Sequence, residues 1–360
     1  MSRDLLLEQV DGFAKLAETN GAGIDGQLYV VTSTADSGAG TLREGLEQGG
    51  RWVTFDKTVF PAVRETVIGL NSAIQIGNNT TLDGRCSNVH VQPSRSAEGG
   101  LFVGYFGERA NENVIITNVK IGPVPGRGDG QSGDGIRVVW GSDRFFITHV
   151  EITSANDEAI EVSRGDKGPM RGTISYSHIS TTRKAVLIGD QTGNNEKGGG
   201  WTSSLHRIQV TIHHNWFQGN AVRNPLVTDS DGHLYNNYVD SYGLRGNEQA
   251  SAGQEFGGDA WVWTEYNVIE PPDGGDPCGI HVVNYGSLGV TGISHITARG
   301  NVFRKNARFC PLFDPDPKVP IAVPYKYAPE EPGPDGTTLT SVLTSSDGDT
   351  LGRAGWINAT

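Results

Sequence analysis

The sequence lacks features that identify several common protein classes. Its three cysteines, Cys86, Cys278 and Cys310, do not have metal-finger spacing; Cys278 and Cys310 could pair in an exported protein, or all three could be buried thiols. No apolar run approaches the roughly 18 residues that a membrane helix needs. No apolar core with a small-residue cleavage site follows Met1, so either the protein is not exported by that route or the sequence begins after a removed signal.

Positive charge is also in deficit. The chain of 360 residues has 29 lysines and arginines against 41 aspartates and glutamates, for a formal net charge of −12. A nucleic-acid-binding protein normally carries a basic patch, so that class is not expected. An acidic polymer would be repelled as well, unless a bound cation bridges it to the protein.

Glycine, in contrast, is abundant. The 50 glycines are about twice the usual share of ~7%, and they lie in short clusters between segments rich in β-forming residues. This distribution indicates an all-β protein with many tight turns. Helix-like apolar spacing is confined to residues 5–17 and 42–46, where we predict short helices.

A recurring pattern runs through the middle of the chain. Alternating apolar residues are followed by one polar residue and a further apolar pair, at irregular intervals of 22 to 38 residues. The polar residues of this pattern are Asn118, His149, Ser177, Asn215, Asn237, Asn267 and Asn301. Repeats of this length with variable insertions are typical of a solenoid, in which stacked coils share one core. Side-chain amides at one phase could then bond from coil to coil as a ladder.

A β-sandwich and a propeller are the competing folds. Propeller blades would repeat more evenly, and a sandwich of this length would need two domains and a linker, which is absent before about residue 315. We therefore predict one all-β domain, a parallel β-helix. Residues 1–50 would form a helical cap and first strands, residues 51–312 the coils, and residues 313–360 a proline-rich extended tail packed outside.

Three carboxylates stand out within the predicted coils. Asp134 lies about one coil before Asp157 and Glu161, and two residues four apart on a strand point to the same face. Neighbouring coils lie about 4.8 Å apart, so these carboxylates would repel each other unless a cation lies between them. Oxygen ligands of this kind suit Ca²⁺, whereas the alternative is an ordinary acidic surface patch.

Several segments resemble the pectate lyase family. Residues 29–32 with 40–43 are similar to its N-terminal signature, residues 81–84 to an early strand and turn, and residues 145–149 to its Trp-Ile-Asp-His motif, with Thr148 in place of Asp. Residues 184–189 resemble its lysine-bearing strand. The most specific match comprises residues 210–217, 223–226 and 233–238. Together the resemblance covers about residues 20–310.

The resemblance implies a right-handed parallel β-helix and a lyase that cleaves polygalacturonate, or a related uronate polymer, by calcium-assisted β-elimination. It implies that Asp134, Asp157 and Glu161 are the Ca²⁺ ligands. Arg223 would be the base, and Lys184 would bind the substrate carboxylate. Because a guanidinium is normally charged, an alkaline optimum is expected, and Lys184 is the second candidate for the base. Arg245 could bind carboxylates near the same groove.

Two departures from the family pattern affect these expectations. Ser132 stands where an acidic ligand is frequent, so the calcium site would be weaker or completed by Asp129. Thr228 stands at the position of a second arginine near the base, so part of the anion-binding surface would differ.

Three other functions remain as alternatives. A pectin lyase would lack the calcium carboxylates that this chain has. A phage-tail or surface β-helix would act on, or bind, a different acidic polysaccharide. An inactive binding module would not need Arg223 and Lys184. The expected protein is a secreted monomer whose partner is an acidic polysaccharide, not a membrane or a nucleic acid.

Overall fold

The computed structural model describes residues 2–104, 109–127, 132–189, 208–243, 252–275, 277–283, 294–311, 323–345 and 354–355. Within them, successive strands pass through three sheets in turn, and every pairing between neighbouring strands is parallel. Each strand bonds to the strand three places further along the chain in most of the structure, as Phe145–Thr148 does to Met170–Ser175. Three strands therefore make one coil.

The first sheet has ten strands and is here termed sheet A. In spatial order its strands are β1 (Gln27–Val31), β2 (Arg51–Phe55), β5 (Thr80–Asp83), β8 (Val114–Thr117), β11 (Phe145–Thr148), β14 (Met170–Ser175), β17 (Ile208–His213), β20 (Asp231–Tyr235), β23 (Trp261–Glu265) and β26 (His295–Arg299).

Sheet B has nine strands. They are β3 (Thr66–Leu70), β6 (Val89–Pro93), β9 (Lys120–Ile121), β12 (Glu151–Thr153), β15 (His178–Ser180), β18 (Trp216–Gln218), β21 (Tyr238–Asp240), β24 (Val268–Glu270) and β27 (Val302–Phe303).

Sheet C also has nine strands, and it carries the candidate site. They are β4 (Ile74–Ile76), β7 (Gly99–Val103), β10 (Asp134–Val139), β13 (Glu158–Ser163), β16 (Lys184–Ile188), β19 (Leu226–Thr228), β22 (Gln254–Gly257), β25 (Cys278–Val283) and β28 (Arg308–Pro311). Parallel strands joined by crossovers wind with a right hand. The chain is a right-handed parallel β-helix, which confirms the predicted fold class.

The inward side chains of the three sheets form one continuous core. Ile, Val and Leu at equivalent positions stack from coil to coil, as Ile136, Ile160 and Val186 do in sheet C. A single coil could not bury these side chains, so each coil depends on its neighbours for its apolar contacts. This dependence is why the repeats of the sequence form one solenoid.

Short helices lie where the sequence predicts them. They are α1 (Arg3–Leu7), α2 (Gly12–Leu16) and α3 (Leu42–Glu47). The side chain of Thr41 caps α3 by accepting a hydrogen bond from the Glu44 amide at 3.3 Å. Helix α2 packs on sheet A, where the Phe13 amide donates to Thr211 Oγ1 at 3.1 Å. Among the described residues, no helix is long and apolar enough to cross a membrane.

The predicted ladder of polar side chains is confirmed in the later coils. Amide nitrogens Nδ2 of Asn215, Asn237 and Asn267 donate to the Oδ1 atom of the next asparagine at 2.9 to 3.0 Å, and the series ends at Asn301. Ser177 begins it, because its amide donates to Asn215 Oδ1 at 2.9 Å. These bonds satisfy polar groups inside the turns, where water is excluded.

The predicted ladder positions of the two earlier coils are wrong by one residue. The pairing of Thr148 with Thr117 and Ser175 places Val119 and Val150 at the ladder phase. Asn118 and His149 precede that phase and have φ angles of 56° and 51°. Polar side chains tolerate this left-handed conformation better than valine does, which accounts for the polar signal one position early.

The C-terminal segment differs in part from the predicted extended tail. A short 3₁₀ turn (Pro334–Gly336) leads into α4 (Thr337–Leu343). Another 3₁₀ turn lies much earlier in the chain, at Gly165–Lys167. Leu339 and Leu343 of α4 are buried against Tyr238 and Val268 of sheet B. Their spacing of four residues puts both on one helix face, so burial favours a helix here.

The three cysteines are free thiols. The proposed division at residues 50 and 312 stays a prediction.

Candidate active site

Three neighbouring strands of sheet C carry the candidate site. In the register of β13 with β16, Glu158 pairs with Lys184, and in that of β10 with β13, Arg137 pairs with Glu161. An isolated bridge continues from Lys184 to Val222, the residue before Arg223. The fold therefore brings residues that are about 90 positions apart in the sequence onto one patch of the solenoid.

Three carboxylates converge at the start of these strands. Asp134, Asp157 and Glu158 each offer an oxygen within 4.8 Å of the other two, and all three residues are buried. The Asp134 Oδ1 atom accepts a hydrogen bond from the Glu158 amide at 3.0 Å. Its buried Oδ2 atom accepts no hydrogen bond from the part of the chain that the structure describes, although Arg137 Nε lies 3.3 Å from it, within ion-pair distance. Buried carboxylate oxygens are normally hydrogen-bonded, so this atom can accept a further partner.

The electrostatics of the cluster oppose ionisation. Burial, reinforced by the negative charge of Glu161, raises the pKa of Asp134 well above its ordinary value. Burial also raises the pKa of Glu158 to about 7, although the nearby Arg223 partly offsets this shift. Carboxylates whose charges repel each other in a site of low dielectric are stabilised by an added cation.

Glu161 lies beside this cluster and has partners of its own. Arg137 Nε donates to Glu161 Oε2 at 2.5 Å, and Ser163 Oγ donates to Glu161 Oε1. Burial disfavours the charge, but Arg137 and Ser163 outweigh burial and hold the pKa of Glu161 below its usual value. Arg137 Nε also lies 3.3 Å from Asp134 Oδ2, within ion-pair distance.

Two cationic side chains border the cluster on the other side. Lys184 Nζ contacts Asp157 Oδ1 and lies 3.5 Å from Glu158 Oε1. Arg223 Nη1 contacts Glu158 Oε1 as well. The backbone holds Arg223 firmly, because its amide donates to Glu255 Oε2 at 2.8 Å and its carbonyl accepts from the Val186 amide at 2.9 Å.

A cleft extends from the site along the side of β10. Arg137, Val139 and Phe102 line it, together with Trp140 and Arg164. The Arg164 guanidinium lies 5.1 Å from the centre of the Trp140 ring, at cation–π distance. An aromatic face next to the exposed Arg164 guanidinium is suited to a sugar ring that carries a carboxylate.

The structure brings together most of the residues singled out in the sequence. Asp134, Asp157, Lys184 and Arg223 meet at one site, and Glu161 is adjacent to them. Arg245, also selected, lies outside the described residues, as does Asp129. The roles assigned to all of them stay predictions.

The structure describes both residues that depart from the family pattern, Ser132 and Thr228. Ser132 Oγ accepts a hydrogen bond from the Arg127 amide at 2.8 Å, so its side chain holds the preceding loop. Thr228 is fully buried in β19.

Sequence reasoning missed Glu158 and Arg137. Glu158 follows Asp134 by 24 residues, and Glu161 follows Arg137 by the same interval. That shared spacing equals one coil here and would have placed each pair side by side. The irregular coil lengths elsewhere concealed this signal.

The residues present fit a hard divalent cation. Ca²⁺ binds 6 to 8 oxygen atoms at roughly 2.3–2.6 Å and accepts water or substrate oxygens at positions that the protein leaves open. Three convergent carboxylates and the unbonded Asp134 Oδ2 atom supply such donors. No histidine or cysteine takes part in this described cluster, which makes softer metals less suitable.

Comparisons with known proteins identify the family of the chain. The family model described as pectate lyase matches residues 65–273. A pectate lyase of Lilium longiflorum is 30% identical over 257 residues, which cover 66% of this chain and 52% of the relative. A probable pectate lyase of Aspergillus flavus is 26% identical over 197 residues, or 52% of this chain and 53% of the relative. The chain thus spans about half the length of these curated relatives.

Solved structures show the same fold at lower identity. Jun a 1, the major allergen from cedar pollen, has a TM-score of 0.68 at 20% identity, with 93% of this chain and 92% of that chain covered. A Bacillus pectate lyase in complex with trigalacturonate has a TM-score of 0.60 at 19% identity, with 97% and 98% covered. Since the family model covers more than half of the chain, this protein belongs to the pectate lyase family.

Proposed function

We propose that this protein is a polysaccharide lyase that cleaves polygalacturonate, or a related uronate polymer, by β-elimination. The observation that carries the proposal is the meeting of Lys184 and Arg223 over a buried carboxylate cluster on one sheet. Cationic side chains and carboxylates that can hold a cation are what an acidic substrate requires on a protein of net charge −12.

Asp134 and Asp157, completed by a third carboxylate, would hold Ca²⁺. Ca²⁺ held by these residues would supply positive charge that attracts the uronate carboxylate and makes the neighbouring carbon more acidic. Lys184 would add positive charge at the same carboxylate, after exchanging its contact with Asp157 for one with the substrate. Its partly exposed side chain is compatible with such an exchange.

The elimination itself needs one base and no external reactant. Arg223, once its guanidinium has lost a proton, would remove the proton from C5 of the uronate. The electron pair left on C5 would form the C4–C5 double bond, the C4–O bond would break, and the leaving oxygen would take up a proton. Atoms balance, because one chain becomes two, one of which has an unsaturated end.

Arg223 must leave Glu158 before it can act. Its Nη1 atom contacts the Glu158 carboxylate in the structure, while its backbone is held by Glu255 and Val186. The side chain can therefore reorient without moving the backbone. Because a neutral guanidinium is needed, we expect activity to rise toward alkaline pH.

A secreted location follows from a substrate found outside cells.

An absorbance assay tests this function. The protein is incubated with polygalacturonate, with methyl-esterified pectin and with alginate, each with Ca²⁺ or with EDTA, while the ultraviolet band of unsaturated uronides is followed. We expect a rising signal on polygalacturonate that EDTA suppresses. No signal on any uronate polymer would contradict lyase activity. A signal confined to alginate would change the substrate, and one unaffected by EDTA would remove the cation.

A further inference from the structure

We propose that Asp134, Asp157 and Glu158 form the cation site of this chain, and that Arg137 keeps Glu161 out of it. The inference rests on the proposed lyase function, whose third carboxylate it identifies. It replaces the ligand set that the family resemblance implies, Asp134, Asp157 and Glu161, with one in which Glu158 is the third ligand.

Both oxygens of Glu161 are already engaged. Arg137 Nε binds Oε2 at 2.5 Å, and Ser163 Oγ binds Oε1. The Arg137 side chain is held in turn by packing, since its guanidinium carbon lies 5.7 Å from the centre of the Phe102 ring. A guanidinium paired with a buried carboxylate is costly to remove, because the carboxylate would be left without a partner. Glu161 would therefore have to break a buried ion pair to bind a cation.

Glu158 is better placed to act as a ligand. It precedes Glu161 by three residues and lies one coil after Asp134, and its amide fixes Asp134 Oδ1 at 3.0 Å. Its carboxylate belongs to the group of oxygens within 4.8 Å of each other. Its present partners among the described residues, Lys184 and Arg223, both contact the Oε1 atom. Glu158 thus keeps its Oε2 atom for a ligand, whereas both oxygens of Glu161 are engaged.

One oxygen of Asp134 also leaves room for a cation. The buried Asp134 Oδ2 atom accepts no hydrogen bond from the described residues. Arg137 Nε lies 3.3 Å from that oxygen, which is ion-pair distance, and so borders the site without completing it.

Calorimetric titration of calcium chloride into the substrate-free protein tests the proposal. The variants are Glu158→Gln, Glu161→Gln, Arg137→Met and the double variant Arg137→Met with Glu161→Gln. Glutamine keeps the shape of glutamate, and methionine keeps the packing on Phe102, so thermal melting should show all four folded. Measuring affinity without substrate separates this question from lyase activity.

We expect Glu158→Gln to weaken calcium binding at least roughly tenfold, and Glu161→Gln to change it less than about threefold. Arg137→Met should tighten binding about tenfold, because Glu161 is then free to join the site. Adding Glu161→Gln to Arg137→Met should remove that gain, as expected of two coupled residues.

Three results would overturn the inference. Loss of binding in Glu161→Gln but not in Glu158→Gln would make Glu161 the ligand. Binding in Arg137→Met alone would mean that Arg137 replaces the cation rather than shaping its site. Absence of calcium binding in every variant would remove the site, while uronide absorbance measured in EDTA could still support the lyase.

Discussion

Two regions of the solenoid bury many ionisable side chains, yet they differ in how these groups are paired. One is the carboxylate cluster of sheet C. The other lies on sheet A beneath the C-terminal segment and is here called the aromatic cluster; its members are Asp11, His213, His214, His233, Tyr235, Glu265 and Tyr325. Comparing the two clusters shows how buried charges that stabilise the fold differ from those of a candidate functional site.

In the aromatic cluster, most charges and rings have a complementary neighbour, although the buried His214 Nε2 atom has no hydrogen-bond partner among the described residues. His213 stacks on Tyr235 with ring centres 4.7 Å apart, and its Nε2 atom lies 2.8 Å from Asp11 Oδ2. His233 Nδ1 lies 2.6 Å from the hydroxyl oxygen of Tyr325, and its Nε2 atom lies 3.3 Å from Glu265 Oε1. These contacts join helix α2, sheet A and the C-terminal segment.

The buried carboxylates of the two regions differ in their pKa values. In the aromatic cluster, burial lowers the pKa of His233 and, more strongly, of His214, which favours their neutral forms. Burial opposes the charge of Glu265, but His233, Tyr327, Trp263 and Arg299 lower its pKa to about 2. In sheet C, burial and like charges raise the pKa of Asp134 and Glu158 instead. Carboxylates that raise each other's pKa values therefore distinguish the candidate site from the aromatic cluster.

The largest expected effect is the loss of turnover in Arg223→Lys. A lysine cannot reproduce the reach and geometry of a guanidinium, so kcat/KM on polygalacturonate should fall about 1,000-fold, or about 4 kcal/mol of transition-state stabilisation. The melting temperature should stay within about 2 °C, since the backbone contacts of Arg223 do not need its side chain. Retention of most activity would refute the assignment of Arg223 as base.

Next in size is the stabilisation by calcium. At a concentration one hundred times the dissociation constant, calcium should raise the free energy of unfolding by about 2.7 kcal/mol. Differential scanning calorimetry with calcium and with EDTA measures this effect. Asp134→Asn should abolish it, whereas a change in the aromatic cluster, such as Glu265→Gln, should leave it intact. An equal shift in Asp134→Asn would place the cation elsewhere.

Glu265→Gln should affect stability and not turnover. It removes the charge that pairs with Arg299 at 2.5 Å and with His233. Because the Arg299 side chain is about half exposed, water can compensate part of the loss, so we expect a cost of about 2 kcal/mol rather than the larger value for a fully buried pair. Urea unfolding gives the stability and the uronide assay gives the activity. A larger effect on activity than on stability would contradict a purely structural role for Glu265.

The smallest expected effect concerns pH. The lowered pKa of His214 means that the unfolded chain takes up its proton first as the pH falls. Its contribution to stability is thus present above about pH 6.5 and is lost below it, at up to about 1.4 kcal/mol per pH unit. His214→Asn should flatten this dependence between pH 7 and 5. Asparagine tolerates the φ of 54°, as Asn236 does at 52° one coil later. An unchanged pH profile would exclude His214 as the source.

His214 also shows a limit of reasoning from strand alternation. Adjacent residues of a strand face opposite sides, but the Nδ1 atoms of His213 and His214 lie 2.8 Å apart, because β17 ends at His213 and the left-handed backbone of His214 turns its ring back. Strand alternation ceases to apply where the strand ends. The shifted ladder positions at Asn118 and His149 have the same origin.

The sequence by itself predicted the architecture and singled out four residues that the fold brings together. Alternating apolar residues with a recurrent asparagine predict stacked coils, because this pattern depends on local periodicity and on side chains that repeat at one phase. Spacing singled out Asp134 and Asp157, whereas the resemblance to family motifs singled out Lys184 and Arg223.

Only the tertiary structure decided how the charges are paired. The register between coils decides whether Glu158 or Glu161 faces Asp134. It also decides whether Arg137 contacts Asp134, Glu161 or both carboxylates. That register follows from the lengths of the loops between strands and from the packing of the shared core. Burial then sets the electrostatics, because a carboxylate acquires a raised or lowered pKa only from the neighbours that the fold places around it.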